Sequence, residues 1–364
     1  MNRGFLAYLM LTLKGIGMGA ADVIPGVSGG TIAFITEIYE ELVDSIKSIN
    51  YTSIRKIWKG GLGAFWKAVN GNFLLSLVMG ILISVLSLAR ILEYILIHHP
   101  ILIWSFFFGL IIASAVFVAK KIDRWNVPVI ISLVAGVIAA YFITSFTPAE
   151  TTNAYWFIFL SGALAICAMI LPGISGSFIL LLLGKYQFIL NALNEGKIGI
   201  IAVLLAGALI GIISFANLLS WLLKRYHNIT IALLAGFMLG SLNKIWPWKI
   251  TISTFTDSHG ELKPLVQQNV LPGRFEDTLQ ADPQILSAIL LAFAGRFTHL
   301  VGCLSKLPLV GLRSILPSLM SALVWAIAVV ILKNTGWCHF SEYSSAAFAI
   351  SFASLGSEGS KIGR

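Results

Sequence analysis

A chain of 364 residues with 57% hydrophobic and only 11% charged side chains, and a mean hydropathy of +0.89, is not a soluble domain, in which about a quarter of residues are charged. Its unbroken apolar runs approach the roughly 20 residues a membrane-spanning helix needs, so it reads as an all-α polytopic membrane protein. The net charge of +9 would suit a nucleic-acid binder, but most Lys and Arg lie in short loops between apolar runs. They read as topology signals, and no nucleic-acid partner is expected.

In chain order, the segment Met1 to Ala21 has the outline of a signal peptide. It reads as retained, because Lys14 interrupts the apolar region and cleavage near Ala21 would cut into a motif repeated later. The first unit, residues 4–45, consists of two apolar arms around Pro25-Gly26. A basic cytoplasmic linker, 45–72, carries Lys47, Arg55, Lys56, Lys59 and Lys67, and spans follow at 73–97, 101–119 and 127–146. These make up repeat one, residues 1–146. Repeat two, residues 147–303, holds an interrupted unit at 153–194 and spans at 200–223, 229–246 and 285–303, the last after a polar insertion. Residues 304–364 form a C-terminal extension with an apolar run at 314–332 that would add one helix. Cys167, Cys303 and Cys338 make no close pair and the six His no ligand motif, so neither a disulfide framework nor a metal site is expected.

The two interrupted units are copies. Ala21-Asp22-Val23-Ile24-Pro25-Gly26-Val27-Ser28-Gly29-Gly30-Thr31 returns 147 residues later as Ala168-Met169-Ile170-Leu171-Pro172-Gly173-Ile174-Ser175-Gly176-Ser177. At a second offset of 127, Gly80 meets Gly207, Ser87 meets Ser214, Ala89 meets Ala216 and Gly109 meets Gly236. A duplicated, Pro/Gly-interrupted hydrophobic segment points to the binding site of a repeat-built transporter. If each unit is a re-entrant hairpin, the three spans between them make the repeats inverted. The basic loops 45–72, 120–126, Lys224-Arg225 and the segment with Lys306 and Arg313 then share one side, while His98-His99-Pro100 and 144–153, free of Lys and Arg, take the other. That separation follows the positive-inside rule and places the N-terminus in the cytoplasm and the polar stretch 247–284 outside.

A Pro-Gly-x-Ser-Gly turn at membrane depth frees backbone N–H groups that must face protein or a wet cavity, and the half-helix after it offers donors to an anion. Gly26, Gly29 and Gly30 let a ligand approach the backbone while Ser28 and Thr31 add hydroxyls. Gly173, Ser175, Gly176 and Ser177 repeat the set. A phosphate monoester carries about −1.5 to −2 against roughly +1 from two helix ends, so a cation is called for. Lys14 and Arg90 are the candidates, with Arg296 a third. Plainer roles stand beside these: Gly and Ser permit close helix packing, Lys14 snorkels, and Arg90 pairs with Glu93 at i, i+3. Asp22, an isolated carboxylate opposite Met169 in the other copy, either caps the turn or couples transport to a cation. Asp22 and Glu93 are the coupling candidates, for H+ or Na+, and no other cofactor is expected.

At Lys14-Gly15-Ile16-Gly17-Met18-Gly19-Ala20-Ala21-Asp22 through Thr31, and at Leu171 to Ser177, the chain resembles the bacterial polyprenyl-phosphate transporter family of PopT type, in layout as far as about residue 290. The resemblance implies a non-enzymatic flippase of the plasma membrane, which returns the carrier lipid undecaprenyl phosphate for reuse in envelope synthesis. The expected partners are polyprenyl phosphate and membrane lipids. Two rivals remain, an inorganic-anion channel and a polyprenyl-diphosphate phosphatase. One phosphatase family also has inverted hairpins and a Pro-Gly-x-Ser turn, but places Arg and Ser where this chain has Gly29-Gly30, and carries an acid pair absent here.

Overall fold

The computed structural model describes residues 3–304, apart from Pro25, Glu150 and 257–261. The expected run 314–332 and the side chain of Arg296 lie outside it. The first unit is α1 (Phe5–Val23), α2 (Gly29–Ile35) and α3 (Tyr39–Lys47). α2 folds back on α1 instead of continuing it. The basic linker is itself helical: α4 (Tyr51–Ala68) is broken by Gly61 at φ +74° and leaves Trp58 and Leu62 exposed beside Arg55, Lys56 and Lys59. α5 (Gly71–Ser87) and α6 (Ala89–His98) together fill the first expected span, α7 (Pro100–Ala119) and α8 (Val127–Ser145) the next two.

The second unit is α9 (Tyr155–Ile170), α10 (Gly176–Leu182) and α11 (Tyr186–Asn194), α10 again packed back on the helix before it and bent by 105° from α11. The 28-residue α12 (Ile198–Arg225) and the shorter α13 (His227–Ser241) follow. Adding 147 to the bounds of α2 and α3 gives those of α10 and α11. Adding 127 to the start of α5 and the end of α6 gives the bounds of α12. The packing repeats as well. α1 crosses α5 where a Cβ on Gly15 would come within 3.1 Å of Gly80 Cα, and α9 crosses α12 at Gly162 and Gly207, the same two positions in the second copy. Such small-residue crossings bring membrane helices to close backbone contact.

The polar insertion corrects the all-α expectation. β1 (Lys249–Thr256) pairs antiparallel with β2 (Leu262–Asn269), from Lys249 opposite Asn269 to Thr256 opposite Leu262. α13 ends at Ser241, short of the expected span end at 246, and the chain turns through Lys244 before β1 begins. The short α14 (Pro272–Leu279) and α15 (Ile285–Leu304) complete the described chain. Trp248, Val270, Phe275 and Ala288 close a small core on Ile101 at the start of α7. Among the described residues four helices are long and apolar enough to cross a membrane, six if two bent pairs each count as one span.

The loops gather into two sets. Arg3 pairs with Glu41 at 2.7 Å, Lys224 with Asp44 at 2.9 Å and Lys121 with Glu37 at 3.8 Å, while Asp123 N–H reaches Asn228. Ser220 Oγ donates to Asp44 at 2.7 Å, joining α3 to the end of α12. In the other set, Ala149 N–H donates to Leu182 O, Lys185 Nζ reaches Thr151 O and Asn153 Oδ1 at 2.9 and 2.7 Å, and Asn243 Nδ2 donates to Ser145 Oγ.

Candidate functional site: two interlocked turns

Each copy of the motif reverses the chain on a glycine in the left-handed region, Gly26 at φ +88° and Gly173 at φ +94°, where a side chain would be strained. A serine two residues later then starts the half-helix. Ser28 Oγ accepts from Gly30 N–H at 3.0 Å, and Ser175 Oγ accepts from Phe178 N–H at 3.3 Å, as N-cap residues do. Both serines are buried, as is Thr31.

The two turns hold each other. Gly26 N–H donates to Ser175 Oγ (3.4 Å) and Gly173 N–H to Thr31 Oγ1 (3.1 Å), 149 and 142 residues apart in sequence. Ser28 Oγ donates to Met169 O at 2.9 Å, and Tyr39 OH to Ile170 O at 3.2 Å. The symmetry is broken at the two serines. The counterpart of the Gly26 to Ser175 bond would run from Gly173 to Ser28, but Ser28 is turned towards Met169 and Thr31 accepts instead. Gly30 permits this contact, since a Cβ there would sit 2.5 Å from Ile170 O. Ser177, its counterpart, is exposed and lies 3.3 Å from Ser175 Oγ.

Asp22 is partly buried at the end of α1, and its Oδ1 accepts from Gly29 N–H at 2.7 Å. It therefore occupies a donor that was assigned to phosphate, with its Oδ2 2.6 Å from where a Cβ on Gly29 would be. Gly176 packs on α9, 2.7 Å from Ala165 O by the same measure. All the predicted turn residues are thus brought together, and their hydroxyls and N–H groups are engaged largely with one another.

The predicted cations are elsewhere. Lys14 Nζ donates to Thr36 O at 2.8 Å, capping the C-terminal end of α2, where a positive charge favours the helix dipole. This is the far end of a seven-residue helix from the turn, ~10 Å along its axis. Arg90 and Glu93 are exposed on α6, which packs on α1, α5 and α7.

A cation that the sequence reading passed over stands beside the turns. The stem of Lys244 lies across Gly26, so that a Cβ there would meet Lys244 Cγ at 2.8 Å, and its ammonium lies 4.7 Å from the centre of the Phe178 ring in α10. Lys249 Nζ donates to Lys244 O at 2.6 Å and sits 3.7 Å over the Trp104 ring. Both lysines line a cavity of about 230 Å³, with Phe178, Leu181 and Leu182 on one wall and Asn243 and Asn269 on another. Burial lowers the basicity of both ammoniums; Lys249, also repelled by Lys244, falls well below the ordinary lysine range.

A multi-pass helical protein whose two copies of a broken helix meet turn to turn has the layout of a repeat-built membrane transporter. Residues 18–263 match the family described as undecaprenyl phosphate translocase-like, and the chain belongs to that family. It is 49% identical over 288 residues to the polyprenyl-phosphate transporter of Vibrio cholerae, covering 79% of this chain and 93% of that one. It is 32% identical over 253 residues to the polyprenyl-phosphate transporter of Staphylococcus aureus, covering 65% and 85%. No solved structure matches.

Proposed function

We propose that this protein is a flippase that moves polyprenyl phosphate, with undecaprenyl phosphate its natural lipid, across the bacterial plasma membrane for carrier recycling. The observation that carries the reading is the hydrogen-bonded junction of the two duplicated turns, in a chain whose relatives are named for this transport. The lipid phosphate binds where Gly26, Ser28, Gly29, Gly30 and Thr31 meet Gly173, Ser175, Gly176 and Ser177, replacing bonds that the turns make to each other. Lys14 and Arg90 act from further off, Lys14 by holding α2 in place. Asp22 is the coupling group: its carboxylate and a phosphate compete for the Gly29 N–H, so a cation taken up by Asp22 favours phosphate entry. Glu93, exposed on α6, would couple only through a change of conformation.

The repeats are inverted in this reading. Support comes from the two sets of loop contacts. Arg3, at the start of α1, bonds Glu41 in α3, so the first unit leaves from the side it enters. The residues before α9 bond the end of α10, so the second unit does likewise on the other side. The set that holds Arg3, Lys47, Lys121 and Lys224 is the cytoplasmic one.

The test is flux in proteoliposomes given a short-chain prenyl phosphate or the matching diphosphate. Movement of the intact monophosphate lipid across the bilayer supports transport. Release of inorganic phosphate from the diphosphate overturns it in favour of a phosphatase, and chloride or phosphate flux without lipid movement overturns it in favour of a channel.

A further inference from the structure

The cavity beside Lys244 lies in the loop set that excludes Arg3, Lys121 and Lys224, between the end of α8, α10 and the paired strands. Among the described residues no carboxylate comes within ion-pair distance of Lys244 or Lys249. Among the described residues the Lys244 ammonium has a ring face as its contact and no hydrogen-bond acceptor, and Lys249 uses one of its three protons, on Lys244 O. Two neighbouring, partly buried ammoniums repel each other and are costly to hold without an anion, and none of the described residues around them supplies one.

We propose that Lys244 and Lys249 form a binding site for a phosphate monoester, the headgroup of the lipid substrate, on the non-cytoplasmic face beside the interlocked turns. The inference rests on the transport reading and deepens it. Two ammoniums match the charge of about −1.5 to −2 on a phosphate monoester, which the turns alone do not. The walls fit both parts of such a lipid: Asn243 and Asn269 are polar, and Phe178, Leu181 and Leu182 give the first methylenes of a prenyl chain an apolar surface. The stem of Lys244 crosses Gly26, so a phosphate held here is already at the mouth of the site between the turns. Lys249 sets the place of Lys244 through its carbonyl and contributes the second charge.

The experiment uses the purified full chain and three probes: a short-chain prenyl phosphate, the corresponding alcohol and inorganic phosphate. Lys244→Gln and Lys249→Gln each weaken prenyl-phosphate binding about tenfold or more, as loss of a charge-assisted hydrogen bond does, and leave alcohol binding unchanged. Lys244→Arg restores affinity, and Lys197→Gln, at an exposed lysine, changes nothing. Lysine acetylation of the wild type gives an answer even if a variant fails to fold: prenyl phosphate protects Lys244 and the alcohol does not. Equal protection by inorganic phosphate shows a site for the phosphate group from either source, and protection by the prenyl phosphate alone shows a site for the lipid headgroup. Wild-type affinity in both Gln variants with unprotected Lys244 overturns the inference and leaves transport standing. A wild type that does not distinguish prenyl phosphate from its alcohol overturns the transport reading, and this inference with it.

Discussion

The two turns share a backbone but not a chemistry. The first carries Asp22, a lysine cap on its half-helix and glycines at 29 and 30, and its Ser28 and Thr31 are buried against the second. The second has Met169 in place of the acid, no counterpart of Lys14, since Ser161 stands there, and an exposed Ser177 where the first has Gly30. A duplicated fold thus keeps the elements that make a turn, while one copy takes on the titratable and locking side chains. The lesson is that symmetry in such a protein lies in the main chain, while the side chains differ; on the proposed mechanism, direction and control belong to those differences.

Making the first turn like the second breaks this division most severely at Gly30. In Gly30→Ser the Cβ meets Ile170 O at 2.5 Å, so the turns must separate. The expected outcome is loss of lipid flux and a destabilisation of ~1–3 kcal/mol, read by proteoliposome transport and thermal unfolding. Asp22→Asn comes next: the amide oxygen still accepts from Gly29 N–H, so the fold persists, but flux no longer responds to an imposed ion gradient. A flux in Asp22→Asn that follows the gradient as wild type does removes Asp22 from coupling. Lys14→Met strips the cap from Thr36 O and costs about 0.5–1 kcal/mol of stability, seen as a lower midpoint of unfolding. Least affected is Ser177→Gly, which makes the second turn like the first; the exposed serine gives up only a long 3.3 Å contact with Ser175 Oγ, and the change is at most about 0.5 kcal/mol.

The sequence made the repeat legible because Pro, Gly and Ser mark a turn by their own covalent limits. Offsets of 147 and 127 therefore predict helix bounds, down to α2 against α10 and α3 against α11. That both turns would serve one anion was legible in their duplication; that they bond directly to each other is seen only in the structure. Lys244 was not legible: its place over Gly26 is set by tertiary packing across 218 residues of chain, and in sequence it is one lysine near the end of the expected span 229–246. Nor was the shift of the Gly173 bond from Ser28 to Thr31, which depends on how closely Gly30 lets Ile170 approach. The β-hairpin did leave a signal, since Ile250 and Ile252 alternate with Thr251 and Ser253 at the start of Lys249–Thr256, the strand pattern of apolar and hydroxyl residues.

The central claim is that both turns form one phosphate site, and a double-mutant cycle on prenyl-phosphate affinity tests it most directly. Ser28→Ala and Ser175→Ala are each expected to weaken binding, by about 1 kcal/mol. Because the two serines act through one junction, the loss in the double variant is expected to depart from the sum by ~0.5 kcal/mol or more. Wild-type affinity in the double variant would contradict the account.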